Sequence, residues 1–229
     1  MVKLISFFFP VRKGSKRVKN KNTRKIKKYN FGLLEIKVNH LKKLRIMFKN
    51  NLKPYDVEFV FSTNCEKTKI FLNKYNWIKV YDRKKSLSGD DVLDKLVSEV
   101  PKVCDGQIIF WSHITSPLFD EKCYLNFTNE FLAKIKIYDS AFSASTIDSF
   151  VVNEENKWLS HDRSKKKWPR TQDLKKMFIV NNAIFGAKRN VYTKLNDRLG
   201  KKILPIVTPK LLDLDIDYLD DIRILKKFI

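Results

Sequence analysis

The sequence predicts an α/β fold with a doubly wound, mostly parallel, Rossmann-like sheet, and three observations carry that expectation. Apolar runs of strand length alternate with stretches of helical periodicity, and the connections between them are short. Gln107-Ile108-Ile109-Phe110-Trp111 is apolar at four successive positions, as a strand buried on both faces of a parallel sheet must be. The 229 residues suffice for a single domain, 1–229, with a substantial core.

Taken in order, Met1 to Phe9 reads as a buried strand that ends at Pro10. Gly32 to Asn50 places Leu34, Val38, Leu41, Ile46 and Phe48 at helical spacing. Val57 to Phe61 alternates as a strand, Glu66 to Lys74 forms a short helix capped by Thr63 or Asn64, and Trp77 to Tyr81 is a third strand. Asp90 to Val100 is a helix with Val92, Leu93, Leu96 and Val97 inward, stopped by Pro101. Past the apolar strand, Asp120 to Lys134 is a helix and Ser140 to Thr146 a strand. Phe178 to Phe185 is a further strand, and Leu219 to Phe228 closes the chain as a helix. Residues 150–176 break this rhythm: basic, with Trp158, Trp168 and Pro169, they read as an excursion or dimerisation arm.

Composition removes several classes. With 43% hydrophobic and 13% aromatic residues the chain is not disordered. No apolar run approaches the ~18–20 residues of a membrane span, and the N-terminal cations follow the apolar stretch instead of preceding it, unlike a signal peptide. A soluble, cytoplasmic protein is expected. Cys65, Cys104 and Cys123 show no C-x-x-C spacing, and His40, His113 and His161 are dispersed, so any metal should be a hard cation on carboxylates. The formal charge of +22 admits a nucleic-acid-binding module. That alternative leaves one feature unexplained: residues 1–28 hold eleven Lys or Arg and no acid, whereas Leu211 to Asp221 holds five aspartates and no base.

Two constellations carry chemistry. Arg12, Lys13, Gly14, Ser15, Lys16, Lys21 and Asn22 follow directly on a strand end, offering backbone N–H groups and fixed positive charge to a polyphosphate. Asp215 and Asp217, two apart on an extended segment, project to one side and suit Mg²⁺, which takes one or two carboxylates plus phosphate oxygens. The competing reading of the second is a charged loop in which Asp217 or Asp220 caps the final helix.

Five segments together resemble the acylneuraminate (CMP-sialic acid) cytidylyltransferase family. Arg12, Gly14, Ser15 and Lys16, followed by Lys21 and Asn22, match its R-x-G-S-K…K-N signature. Arg83, Leu87 and Asp90 match R-P-x-x-L-x-x-D, with Lys84 in place of proline. His113-Ile114-Thr115-Ser116-Pro117-Leu118 is similar to Q-P-T-S-P-L, His113 replacing glutamine. Arg170-Thr171-Gln172-Asp173-Leu174 resembles R-R-Q-D-L and leads to Asn181-Asn182-Ala183-Ile184-Phe185, where Asn182 replaces the glycine of N-G-A-I-Y. Asp215, Asp217 and Asp221 align with I-D-I-D-T-x-x-D-L.

The resemblance implies a Mg²⁺-dependent transfer of CMP from CTP to the anomeric hydroxyl of a sialic-acid-like 2-keto sugar acid, with release of pyrophosphate. It implies nucleotide binding by Arg12, Gly14, Ser15, Lys16, Lys21, Asn22 and Arg83, and catalysis by Arg12, Lys21 and Asp217. Sugar binding falls to His113, Thr115, Ser116, Arg170, Gln172 and Asn181, and Mg²⁺ to Asp215 and Asp217. A homodimer is expected. An octulosonic-acid cytidylyltransferase, or another nucleotide-sugar pyrophosphorylase, is the neighbouring alternative.

Overall fold

A computed structural model describes residues 3–89 and 92–229. The motif match at Asp90 and the expected helix start there lie outside those residues, as do Asp91 and the expected strand positions Met1 and Val2. The elements run β1 (Lys3–Pro10), α1 (Gly32–Asn51), β2 (Tyr55–Thr63), α2 (Glu66–Leu72), β3 (Ile78–Asp82), α3 (Leu93–Val103), β4 (Ile108–Ser112), α4 (Glu121–Lys134) and β5 (Ser140–Thr146). They continue with β6 (Phe178–Lys188), α5 (Arg189–Leu195), β7 (Ile203–Val207) and α6 (Leu219–Leu225). The sheet has seven strands in the order β3-β2-β1-β4-β6-β5-β7, all parallel to their neighbours except β6, which runs antiparallel to both β4 and β5.

Period-two alternation within β1 explains the double winding. Ile5, Phe7 and Phe9 enter one core with Phe59, Phe61 and Phe110, beneath α1 and α4. Phe8 points the other way and meets Val60, Ile109, Trp111 and Phe185, beneath α3 and α5. Each such phenylalanine is worth about 1.5–3 kcal/mol when fully buried. The chain leaves β1 for β2 on one side and reaches β4 on the other, so the sheet changes direction between β1 and β4. A crevice therefore opens beyond the C-terminal ends of these two strands.

Several local expectations are revised. Helix α3 begins later, at Leu93, and runs through Pro101 to Val103. Proline sacrifices one N–H bond there, but Val100 and Val103 gain burial by continuing the turn. Leu93, expected inward, is 45% exposed, while Leu96, Val97, Val100 and Val103 form the buried face. Neither Thr63 nor Asn64 caps α2: Cys65 stands at its N-cap, Thr63 Oγ1 accepts from Cys65 N, and Asn64 serves the site. The final helix ends at Leu225, and its cap is Tyr218 with Asp221, whose Oδ2 accepts from Tyr218 N at 2.6 Å and Asp217 N at 2.8 Å. Asp217 and Asp220 are not its caps. Strand β7 and helix α5 have no counterpart among the expected elements; Pro205 masks β7, and only its edge position tolerates a proline. Between β5 and β6, residues 147–177 wrap an aromatic cluster of Phe150, Trp158, His161 and Trp168. Among the described residues no helix is long and apolar enough to cross a membrane.

Candidate active site

The loop after β1 is fixed from below by apolar anchors and from the side by polar ones. Val18 and Ile26 are buried, Val11 N donates to Ser62 O at 2.8 Å, and Lys13 N donates to Asn64 Oδ1 at 2.8 Å. Arg12 Nη1 donates to Gly89 O at 3.1 Å, which ties the loop to the turn after β3. Asn22 is held twice: its side-chain Nδ2 donates to Arg12 O at 3.2 Å, and its main-chain carbonyl accepts from Leu34 N in the first turn of α1. Gly14 takes φ +91°, a conformation that β-carbons disfavour.

From the other end of the chain, Ile216 is fully buried and its N donates to Thr115 O at 2.8 Å. That anchor turns Asp215 and Asp217, on either side of it, toward the cavity. Lys21 Nζ donates to Ile216 O at 2.6 Å and Asp217 Oδ1 at 3.0 Å, and Arg17 Nη2 meets the same oxygen at 2.7 Å while lying over the Tyr218 ring. Basic N-terminal loop and acidic C-terminal segment thus share one cavity of about 680 Å³ in the switch-point crevice. Asp215 differs from its neighbour: its Oδ1 is buried with no hydrogen-bond partner among the described residues. Burial raises its pKa and the charge of Asp217 adds to this, against the Thr115 hydroxyl, Lys21 and Arg17.

The segment after β4 forms a third wall through His113 and Thr115. Burial and the cations Arg198, Lys21 and Lys37 push His113 down to about 3, so the ring is neutral. Beneath it, Lys37 of α1 is fully buried and donates to Ser116 O at 3.0 Å and Phe119 O at 2.9 Å, fixing the turn. Desolvation lowers this lysine to about 7.

Arg12, Ser15, Lys16, Lys21, Asn22, His113, Thr115, Asp215 and Asp217 of the expected set therefore line one cavity. The rest stand elsewhere. Arg83 is buried behind the loop, with Nε donating to Ser62 Oγ and Nη2 to Ser62 O. Ser116 is buried, and Gly14 is absent from the wall. Asn181 is an internal strut, accepting from Ser143 Oγ and donating to Thr208 Oγ1 at 2.8 Å and Asp213 Oδ1 at 3.0 Å. Arg170 pairs with Asp173 at 3.0 Å on the exposed arm, beside Gln172. Sequence reasoning missed Arg17, whose only signal was its place in a basic run opposite an acidic one. It also missed that Asn182, not Asn181, reaches the cavity. Asn182 adopts φ +59°, the left-handed region where glycine is favoured and asparagine is the tolerated substitute.

No protein-family model matches the chain, and no curated protein matches it in sequence. Solved structures do match in shape. The 4-diphosphocytidyl-2C-methyl-D-erythritol synthase of Anaerococcus prevotii superposes with TM-score 0.67 at 12% identity, covering 99% of this chain and 98% of that one. A CMP:2-keto-3-deoxy-manno-octonic acid synthetase complexed with CTP gives 0.62 at 14%, covering 99% and 98%. HddC from Yersinia pseudotuberculosis gives 0.56 at 12%, covering 100% and 99%. The chain accordingly has the α/β fold of these proteins over essentially its whole length.

Proposed function

We propose that this protein is a nucleotidyltransferase that moves CMP from CTP to the anomeric hydroxyl of a sialic-acid-like 2-keto sugar acid, releasing pyrophosphate. The observation that carries the reading is the meeting of Lys21 and Arg17 with Asp217 at 3.0 and 2.7 Å, with Asp215 alongside in the same crevice. Cations for a triphosphate and carboxylates for its counter-ion stand side by side.

The anomeric oxygen attacks the α-phosphorus, the bond to the bridging oxygen of pyrophosphate breaks, and the hydroxyl proton is lost to solvent. Such a step needs positioning and charge neutralisation more than covalent catalysis. Arg12, Lys16 and Lys21 neutralise the triphosphate, and Ser15 and the backbone at Gly14 approach it. Asn22 orients the nucleotide from the cavity wall, and Arg83 does so indirectly by holding Ser62 under the loop. His113 and Thr115 face the acceptor. Asp215 and Asp217 fit Mg²⁺: both donors are hard oxygens, and Asp215 Oδ1 is a buried acceptor left without a proton donor. Bound there, the ion supplies neutralisation of phosphate charge. The exposed arm, with Trp168 62% exposed, supports a homodimer, which light scattering would test.

The decisive experiment offers each nucleoside triphosphate with a panel of keto-sugar acids and Mg²⁺ and reads pyrophosphate release. Turnover with CTP and a nonulosonic acid supports the reading; none with any acceptor sinks it. An octulosonic acid is the second acceptor class, favoured by the fold shared with the octonic acid synthetase.

A further inference from the structure

Trp111 and His113 project from the same face of β4 and its extension, and their polar atoms meet. Trp111 Nε1 donates to His113 Nε2 at 3.0 Å. An indole nitrogen can only donate, so Nε2 must be the accepting nitrogen, and the single proton of the neutral imidazole sits on Nδ1. The indole has no freedom to turn away. It is buried among Phe8, Ile109 and Phe185, and the Arg198 guanidinium covers both the Trp111 ring at 5.4 Å and the Phe185 ring at 3.8 Å. His113 itself lines the cavity beside Thr115, Asn182 and Asp215, and its Nδ1 has no hydrogen-bond partner among the described residues.

We propose that His113 Nδ1–H, locked in one tautomer by Trp111 and backed by Arg198, is the specificity-determining donor for the carboxylate of the acceptor substrate. The inference rests on the proposed reaction and deepens it. The glutamine of the resembled pattern offers both a donor and an acceptor; this locked ring offers a donor alone. A ligand hydroxyl that must donate finds no acceptor on it, whereas an anionic oxygen finds a fixed N–H. Arg198, Lys21 and Lys37 act on His113 as cations and favour an anion at that point, although the carboxylate of Asp215 lines the same cavity. Arg198 is a positioning residue here: it clamps the indole and contributes field.

The lock is tested on the protein alone. Histidine labelled with ¹⁵N at both ring positions, read in long-range ¹H–¹⁵N spectra at neutral pH, should show His113 as the Nδ1–H tautomer. His40→Gln and His161→Gln assign its signals, and Trp111→Phe should move the ring toward Nε2–H. An Nε2–H ring in the wild-type protein overturns the lock, and this arm survives even if Trp111→Phe does not fold. For the ligand, sialic acid and its methyl ester are titrated in the presence of CTP. The acid should bind on the order of tenfold or more tightly than the ester, and His113→Leu should abolish that preference while leaving CTP affinity unchanged. Retained discrimination in His113→Leu, or equal loss of CTP binding, overturns the assignment. If no keto-sugar acid binds or reacts, the proposed function fails and takes the carboxylate with it, while the tautomer spectrum still judges the lock.

Discussion

The two halves of the sheet are built by different means. From β1 to β4 the strands are parallel, and Ile5, Phe7, Phe8 and Phe9 are at most 1% exposed, with helices on both faces. From β5 to β7 an antiparallel strand intervenes, and β6 begins in the open, Ile179 being 53% exposed. That half relies on polar struts, in which Ser143, Asn181, Thr208 and Asp213 are joined by hydrogen bonds, and on an aromatic arm that packs largely against itself. The basic loop and the His113–Thr115 wall of the proposed site both stand on the core-packed half; the second half lends Asn182 and the segment of Asp215 and Asp217. A framework held by core packing fixes the groups it carries, and one held by loops and polar pairs leaves its own part of the wall freer to vary.

Substitutions can separate the halves. Phe7→Ala should cost about 3–5 kcal/mol of global stability in denaturant unfolding, because its ring packs on Phe48, Phe59, Phe110 and Tyr124 at once. A loss under about 1 kcal/mol would deny the first half its tightly packed core. Asp217→Asn should lower turnover about 10²-fold or more, equivalent to about 2.7 kcal/mol, with an unchanged unfolding midpoint. Near-normal pyrophosphate release in that variant refutes the carboxylate's role. Asn181→Ala should remove about 1–3 kcal/mol by stranding Asp213 and Thr208, and should loosen amide exchange in β5 and β6 more than in β1 and β2.

Acidity offers a gentler probe. Burial holds His40 at about 4 and His113 at about 3, both below the ordinary 6.5. The unfolded chain therefore takes up protons near pH 6.5 that the folded chain refuses. Stability should be full above that pH and fall toward pH 4, with a slope of up to about 1.4 kcal/mol per pH unit for each group. His40→Gln should flatten the fall. A smaller effect is expected in the arm: Trp168→Ala, which removes edge-to-face contacts with Phe150 and Trp158, should cost about 1 kcal/mol of stability and weaken the proposed self-association in sedimentation.

Much of the framework was legible in the sequence because each strand carries its own pattern. The all-apolar Ile108–Trp111 announces a central parallel strand, and Ser140–Thr146 appears where it is observed. Arg12, Lys21, Asp215 and Asp217 were legible as candidates because unlike charges concentrated at opposite chain ends in a +22 protein need a reason to be there. Asn181 and Asn182 could not be told apart: adjacent asparagines are equivalent on paper, and only the positive φ of Asn182 and the neighbours of Asn181 separate strut from wall. Arg83 likewise looks like a ligand residue until its guanidinium is seen spent on Ser62.

What the sequence by itself determined was local: strand and helix identity, the apolar faces, and the two charged constellations, since periodicity and composition act over a few neighbouring residues. The tertiary structure alone decided the antiparallel insertion of β6, the contact of Lys21 with a carboxylate 196 positions away, and the tautomer that Trp111 imposes on His113. Those depend on which atoms long-range packing brings within about 3 Å of each other, a distance over which hydrogen-bond strength is gained or lost.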